Sequence, residues 1–438
     1  MKNFIHVHRW SNSIQDYQYV GHLLYENELT GGAVSFFYDR DYINAGGPSL
    51  EPRNLATNKN HGKHVVTAGN GVLPLYFQQF LPGAYGQVML KNEFAHFERL
   101  NQFQKLSICA ELFGDHIAIR LNAQNNQSNL SADSHTDLTK LTLAIQESKP
   151  GNLRSPIGSD KLSATCSLPG SRSKIEYTST EDGQRYVLKP NASSQFNESQ
   201  VRHFVHLMEA KAGIDSAPIK MLSLHEGGIE VALQKNFKHH FEMADGSALL
   251  LKFNSVSFDV LHGENSLLSP SPAFSYKDAA AIVDTYSVSP QEDKEQLLLR
   301  ALFSAAINHT TNGLDNLNLV DLGSNHWRLA PAYNTLPNPL QESTFALRFS
   351  DHQVSRMHFD LNDSFAVDLA LSMNLQPGSG SSALDKVNTA LANRPELYEQ
   401  ANIDSSTQSV IELAIGSGKG IYTYSHPQDT EQLSPGMR

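Results

Sequence analysis

The hydrophobic period changes along this chain, and that change limits the folds open to it. In the first hundred or so residues, Val20 to Leu24 and Ala33 to Tyr38 are short apolar runs separated by Gly31-Gly32, the pattern of a hairpin or meander. Residues 44 to 72 are rich in Asn, Gly, Pro and His and read as loop. Arg185 to Lys189 reads as a strand ended by Pro190. Val201, Phe204, Val205 and Met208 then fall at i, i+3, i+4 and i+7, one face of a helix, with Gly213 at its C′ position. Ile229 to Leu233 alternates as a further strand before Gln234. From about residue 250 the period turns helical. Ser289-Pro290-Gln291-Glu292 has the spacing of a capping box with Pro at N1, and Leu298, Ala301, Leu302 and Ala305 mark the buried face that follows. Strands first and helices after give an α+β chain of two lobes.

With 438 residues, 40% of them hydrophobic and 18% charged, the chain can bury a large core. Its 34 basic and 45 acidic residues leave a net charge of −11, a poor basis for neutralising phosphates, so no direct nucleic-acid contact is expected. Cys109 and Cys166 form no C-x-x-C pair, which argues for a reducing, cytoplasmic setting and against a thiolate zinc site. The stretch from Met1 to Trp10 lacks an apolar signal region, and no apolar run approaches the length of a membrane span. His203 and His206, like His61 and His64, stand at i,i+3 with no third ligand nearby, the spacing of scattered imidazoles more than of a metal site.

One segment carries more than periodicity. Trp327-Arg328-Leu329-Ala330-Pro331-Ala332-Tyr333-Asn334-Thr335-Leu336-Pro337-Asn338-Pro339 resembles the W-R-L-S-P-A-Y-D-L-N-P segment of HipA-type kinases, the toxin halves of bacterial toxin–antitoxin pairs. Leu81-Pro82-Gly83-Ala84-Tyr85-Gly86 is similar to the family's L-P-D-G-W-G turn at Leu81, Pro82 and Gly86. The resemblance runs over roughly residues 18 to 415. It implies a two-lobed, protein-kinase-like fold with a β-rich amino-terminal subdomain at 1–115, an N-lobe-like region at 116–240, a helical C-lobe at 241–415 and a frayed tail at 416–438.

The same resemblance assigns places to the parts of phosphoryl transfer. Ser167, Gly170 and Lys174 match the S-x-x-G-x-x-x-K loop that covers the nucleotide, and Lys189 matches the phosphate-binding lysine. Gln234 opens Gln234-Lys235-Asn236-Phe237-Lys238, at the place of the post-hinge E-R-F-D-R. Arg202 occupies the position of the glutamate that would pair with the lysine, with Glu198 one turn upstream. In the catalytic loop, Ile307, Thr310, Leu314 and Asn316 match, while Thr311 stands where the catalytic Asp belongs, Gly313 where the His belongs and Asp315 where an Arg or Lys belongs. Asn316 retains the metal-binding Asn, and Asn334 replaces the metal-binding Asp.

A threonine cannot accept the substrate proton as a carboxylate does, and losing a general base costs about 10²–10⁴-fold in rate. Mg²⁺ prefers charged carboxylates to amide oxygens, so Asn316, Asn334 and Asp315 form at best a weak metal set. The resemblance therefore implies a pseudokinase with weak or absent use of ATP and Mg²⁺, acting as a binding module with a small antitoxin-like or HipA-like partner. Two alternatives stay open: an atypical Ser/Thr kinase or other ATP-using transferase working through Lys189, Asn316 and Asp315, and a scaffold that binds no nucleotide.

Overall fold

The computed structural model describes residues 3–26, 31–57, 63–66, 69–122, 138–143, 165, 173–191, 196–224, 229–244, 247–263, 274–338, 345–349 and 361–415. Cys166, Ser167, Gly170, His61, Pro339 and the 416–438 tail lie outside these residues. The chain forms two compact units whose segments interleave: residues 1–194, 217–269 and 318–331 in the first, and 195–216, 270–317 and 332–438 in the second.

The first unit is built on antiparallel sheets. β1 (Phe4–Ser11), β2 (Asp16–Tyr25), β3 (Val34–Tyr38), β4 (Lys63–Val66), β5 (Asp115–His116) and β6 (Ile119–Leu121) form one sheet in the order β4-β3-β2-β1-β6-β5. The hairpin expected across Gly31-Gly32 is the β2–β3 pair. Gly21 lies where β3 approaches so closely that a Cβ would sit 2.0 Å from the Phe37 carbonyl oxygen. On β1 the alternation buries Ile5, Val7 and Arg9, and Arg9 forms an ion pair with Asp321. Two expectations need correction. The 44–72 stretch is not all loop, because Lys63–Val66 takes the free edge of β3. Leu81–Gly86 does not end as a turn, because Gly83 caps the helix Ala84–Glu93.

β7 (Ile175–Thr178), β8 (Arg185–Leu188), β9 (Ile219–Leu224) and β10 (Ile229–Lys235) form a second sheet, ordered β7-β8-β10-β9. Its buried side chains Ile175, Tyr177, Leu188 and Leu233 share a core with Met89, Phe97, Cys109 and Phe113 from the amino-terminal helices. The chain does not turn helical at residue 250. β11 (His239–Ala244) pairs with β12 (Ser247–Lys252), and β13 (Asn254–Ser257), β14 (Asn318–Asp321) and β15 (Trp327–Leu329) make a three-stranded sheet. Val256, Leu319 and Trp327 are buried there, so these short strands owe their place to tertiary pairing, not to a local period.

The second unit is helical. α1 (Glu198–Ala212) buries Val201, Phe204, Val205 and Met208, as its periodicity predicts, and ends at Gly213 in the left-handed conformation at φ 79°. Phe204 stacks on Tyr398 with ring centroids 4.5 Å apart. α2 (Tyr276–Tyr286) and α3 (Pro290–Ala306) pack together, and α3 buries Leu298, Ala301, Leu302 and Ala305. The capping box at Ser289 does not form. Ser289 sits at φ −133° and ψ 63° and its side chain makes no cap bond. The Ser287 hydroxyl instead accepts from the Ser289 amide and donates to Asp293. Capping boxes form elsewhere, at Asn101 with Gln104 and at Ser275 with Asp278.

Asn197 caps α1 by accepting from the amides of Ser199 and Gln200 at 3.0 and 3.3 Å. Replacing this cap (Asn197→Ala) should cost about 1 kcal/mol, measured as a lowered urea midpoint at unchanged m-value.

Candidate functional site

In the first unit the β7–β8 register sets Ile175 opposite Leu188. Lys174, just before β7, and Lys189, just after β8, therefore come to the same end of that hairpin. Both are half-buried. Gln234 lies on the adjoining strand, paired with Val187.

In the second unit the expected catalytic loop gathers on Asn316. The Asn316 amide donates to the Thr311 carbonyl at 3.2 Å and to Asp315 Oδ1 at 3.3 Å. Its Oδ1 accepts from Asn334 Nδ2 at 3.0 Å. Thr311 and Asp315 are exposed. Asn334 holds a left-handed backbone at φ 65°, a conformation that asparagine tolerates better than most residues. The loop is tied to the 332–338 segment at several further points. Asn338 Nδ2 donates to the Thr310 hydroxyl at 2.8 Å, Asn308 Nδ2 donates to the Asn338 carbonyl at 2.7 Å, and His309 Nδ1 lies 2.9 Å from the Leu336 carbonyl. Asn312 Nδ2 donates to the buried Tyr276 hydroxyl at 3.0 Å.

The donor set does not fit Mg²⁺. Asn316 and Asn334 offer amide groups that hydrogen-bond each other, and the neighbouring carboxylate, Asp315, accepts from Asn316. A hard divalent ion would have to break the amide pair and would gain no charged oxygen from position 334. Among the described residues, no group of three His, Cys, Asp or Glu side chains is arranged to hold a metal. His203 and His206 are held below the usual imidazole range by burial.

The expected glutamate position carries Arg202, which forms a buried ion pair with Glu198 at 3.6 Å. The guanidinium thus finds its acid on its own helix, one turn back.

Beside Asn316 opens a small cleft. Glu209, Arg300, His309, Asn312 and Tyr333 line it together with Asn316. Glu209 and Arg300 were not among the expected site residues, and both are buried. Burial pushes the Glu209 carboxyl up to about 7, against the opposing pull of the Thr335 hydroxyl, the Arg300 charge and the Ser216 hydroxyl. Burial lowers the Arg300 guanidinium, with Asp215 and Glu209 acting the other way. A signal for Glu209 was available in the sequence: it falls at i+4 from Val205, on the apolar face of α1, where a charged residue is out of pattern.

The family model for the HipA-like C-terminal domain matches residues 166–394. The chain belongs to the HipA-like family. A chain of the Shewanella oneidensis MR-1 toxin–antitoxin complex of HipA, HipB and operator DNA aligns with a TM-score of 0.66 at 12% identity, covering 94% of this HipA-like chain and 95% of that one. At that identity the likeness speaks for the fold, which is the α+β kinase-like fold of HipA. The Helicobacter pylori proinflammatory kinase CtkA aligns with a TM-score of 0.36 at 13% identity, over 56% of this chain and 94% of its own. No curated protein matches in sequence. No described helix of the HipA-like chain is long and apolar enough to cross a membrane.

Proposed function

We propose that this HipA-like protein has lost phosphotransfer, or keeps a trace of it, and serves as a binding module in a toxin–antitoxin-like system of the cytoplasm. The observation that carries this reading is the Asn334–Asn316 amide pair at 3.0 Å, at the place where an Asp and an Asn would share a metal. The exposed Thr311, in place of the catalytic carboxylate, adds to it. The partner is a small antitoxin-like protein or a second HipA-like chain. The Shewanella structure, which contains HipA with HipB and operator DNA, supports the first choice. With a net charge of −11 on the present chain, any contact with DNA would pass through that partner. Nucleotide, if held, would meet Lys174 and Lys189, which share one end of the β7–β8 hairpin.

The second reading is an atypical kinase, favoured by the Asp315 carboxylate lying 3.3 Å from the Asn316 amide. The two differ in turnover. Purified protein incubated with radiolabelled ATP and Mg²⁺ should incorporate no label above a heat-treated control. Robust Mg²⁺-dependent labelling would overturn the first reading. A thermal-shift titration with ATP, using Lys189→Ala as control, separates a nucleotide-holding module from a bare scaffold. A ligand at 100 times its Kd stabilises the fold by about 2.7 kcal/mol. The double variant Thr311→Asp, Asn334→Asp should bind Mg²⁺·ATP more tightly than the parent.

A further inference from the structure

The chain leaves the first unit after residue 194 and returns to it at 217, and α1 lies on that excursion. By sequence α1 joins β8 to β9, two strands of one sheet, yet by packing it belongs to the second unit. There it packs on the last helices of the fold: α4 (Pro377–Ala392) and α5 (Arg394–Gln400) lie against it. Phe204, fully buried, stacks on Tyr398 of α5 at an interplanar angle of 15°. The Tyr398 hydroxyl donates to Glu412 of α6 (Ser405–Ile415) at 2.7 Å, and Arg394 reaches the same carboxylate at 3.4 Å. α6 thus fixes the ring on which α1 rests. The start of α1 is held a second way. The fully buried Thr407 Oγ1 accepts from the Asn197 amide at 3.1 Å and donates to Asp404 at 2.8 Å. A hydroxyl has one proton to give. With that proton on the side of Asp404, a lone pair faces the residue that caps α1.

We propose that this joint is a conformational clamp: α5 and α6 set where α1 lies, and α1 carries that setting to the cleft beside Asn316. A helix of 15 residues is a rod about 22 Å long, and rigid elements of this kind transmit a displacement from one end to the other. The last turn of α1 supplies Glu209 to the lining of the cleft, and the segment just after it supplies Ile214. The Arg202–Glu198 pair lies within α1, so it does not fix where the helix lies. The fastening at Phe204 and Asn197 does. α5 and α6 have 7 and 11 residues, too short to be stable apart from their packing, and elements of that kind open locally at less cost than the core. The clamp can therefore release while α3 stays folded. This inference takes from the functional reading only that the cleft is the site.

Native-state hydrogen exchange on the full chain, read by mass spectrometry without nucleotide, tests the clamp. Thr407→Val keeps the shape and removes the bond to Asn197, whereas Thr407→Ser keeps the hydroxyl. In Thr407→Val, exchange should quicken by about tenfold, the scale of one lost buried hydrogen bond. The change should run through all of α1 as far as Glu209, while α3 keeps the protection it has in the parent. Tyr398→Leu, which removes the stacked ring, should free α1 in the same way, and Thr407→Ser should exchange like the parent. A loss confined to the first turn of α1 would mean a frayed cap that never reaches the cleft. An equal loss in α1 and α3 would mean ordinary core packing. Either result overturns the proposal, as does an α1 that exchanges no faster in Thr407→Val and Tyr398→Leu. Failure to bind ATP would count against the functional reading alone, since exchange is read without nucleotide.

Discussion

Asp321→Ala should lower the stability of this protein by about 3–5 kcal/mol, the scale found when one partner of a buried ion pair is removed. Asp321 Oδ2 lies 2.5 Å from Arg9 Nη2, with the carboxylate side chain fully buried and the guanidinium 7% exposed. Asp321 also organises the turn between β14 and β15. Its two oxygens accept from the amides of Gly323 at 2.9 Å and Asn325 at 3.3 Å. Ser324 and Asn325 take left-handed backbone there, and the Asn325 side chain accepts from the Ser49 amide at 2.7 Å. Alanine would leave a guanidinium buried with backbone carbonyls of residues 48 and 49 as acceptors, and would free two turn amides at once. The reverse change, Arg9→Met, should cost less, because the Asp321 carboxylate keeps its turn amides and an apolar stem fills the space. Urea midpoints of the two variants check this order. Equal losses would mean that the turn contributes nothing, and a loss under about 1 kcal/mol for Asp321→Ala would mean that the pair behaves as an exposed one.

That pair joins residues 312 apart in sequence, and nothing in a local pattern announces it. What the sequence made legible was what local physics decides. Val201, Phe204, Val205 and Met208 had to share a face, and Gly213 had to end their helix, because a helical period and a left-handed cap are properties of neighbours. Arg185–Leu188 and Ile229–Lys235 followed in the same way from alternation and from Pro190. Where two local solutions competed, spacing misled: Ser289 had the right neighbours for a capping box, yet Ser287 and Asp293 made the bond that settled the turn. Lys63–Val66 became a strand because β3 offered an unpaired edge, a fact about a distant segment. The candidate site divides along the same line. Thr311, Asp315, Asn316 and Asn334 could be placed through the family resemblance, and they do meet around Asn316. Glu209 and Arg300 come to the cleft through the packing of α1 and α3, and only a charge out of place on an apolar stripe hinted at the first of them.

Glu209 should also make the stability of the fold depend on pH in the neutral range. Its carboxyl is raised from an ordinary 4.5 to about 7. Between these values the folded chain holds a proton that the unfolded chain has released. Stability therefore falls as pH rises through this window, since ν is larger in the native state than in the unfolded one. Below about pH 4.5 both states are protonated and the group is neutral in the balance. Above about pH 7 both are ionised, and the folded state carries the full cost of a buried carboxylate. The shift amounts to roughly 3 kcal/mol at about 1.4 kcal/mol per unit. Glu209→Gln keeps the shape and removes the charge. Its stability should match the parent near pH 4.5 and exceed it by roughly 2–3 kcal/mol at pH 8, read from urea unfolding across pH. If parent and variant run parallel from pH 4.5 to pH 8, Glu209 does not titrate in this window. If the variant is weaker at every pH, the carboxylate is a net stabiliser, and the Arg300 charge beside it outweighs the burial. A stabilised Glu209→Gln would mean that the fold keeps a carboxylate in the cleft at a cost to its stability.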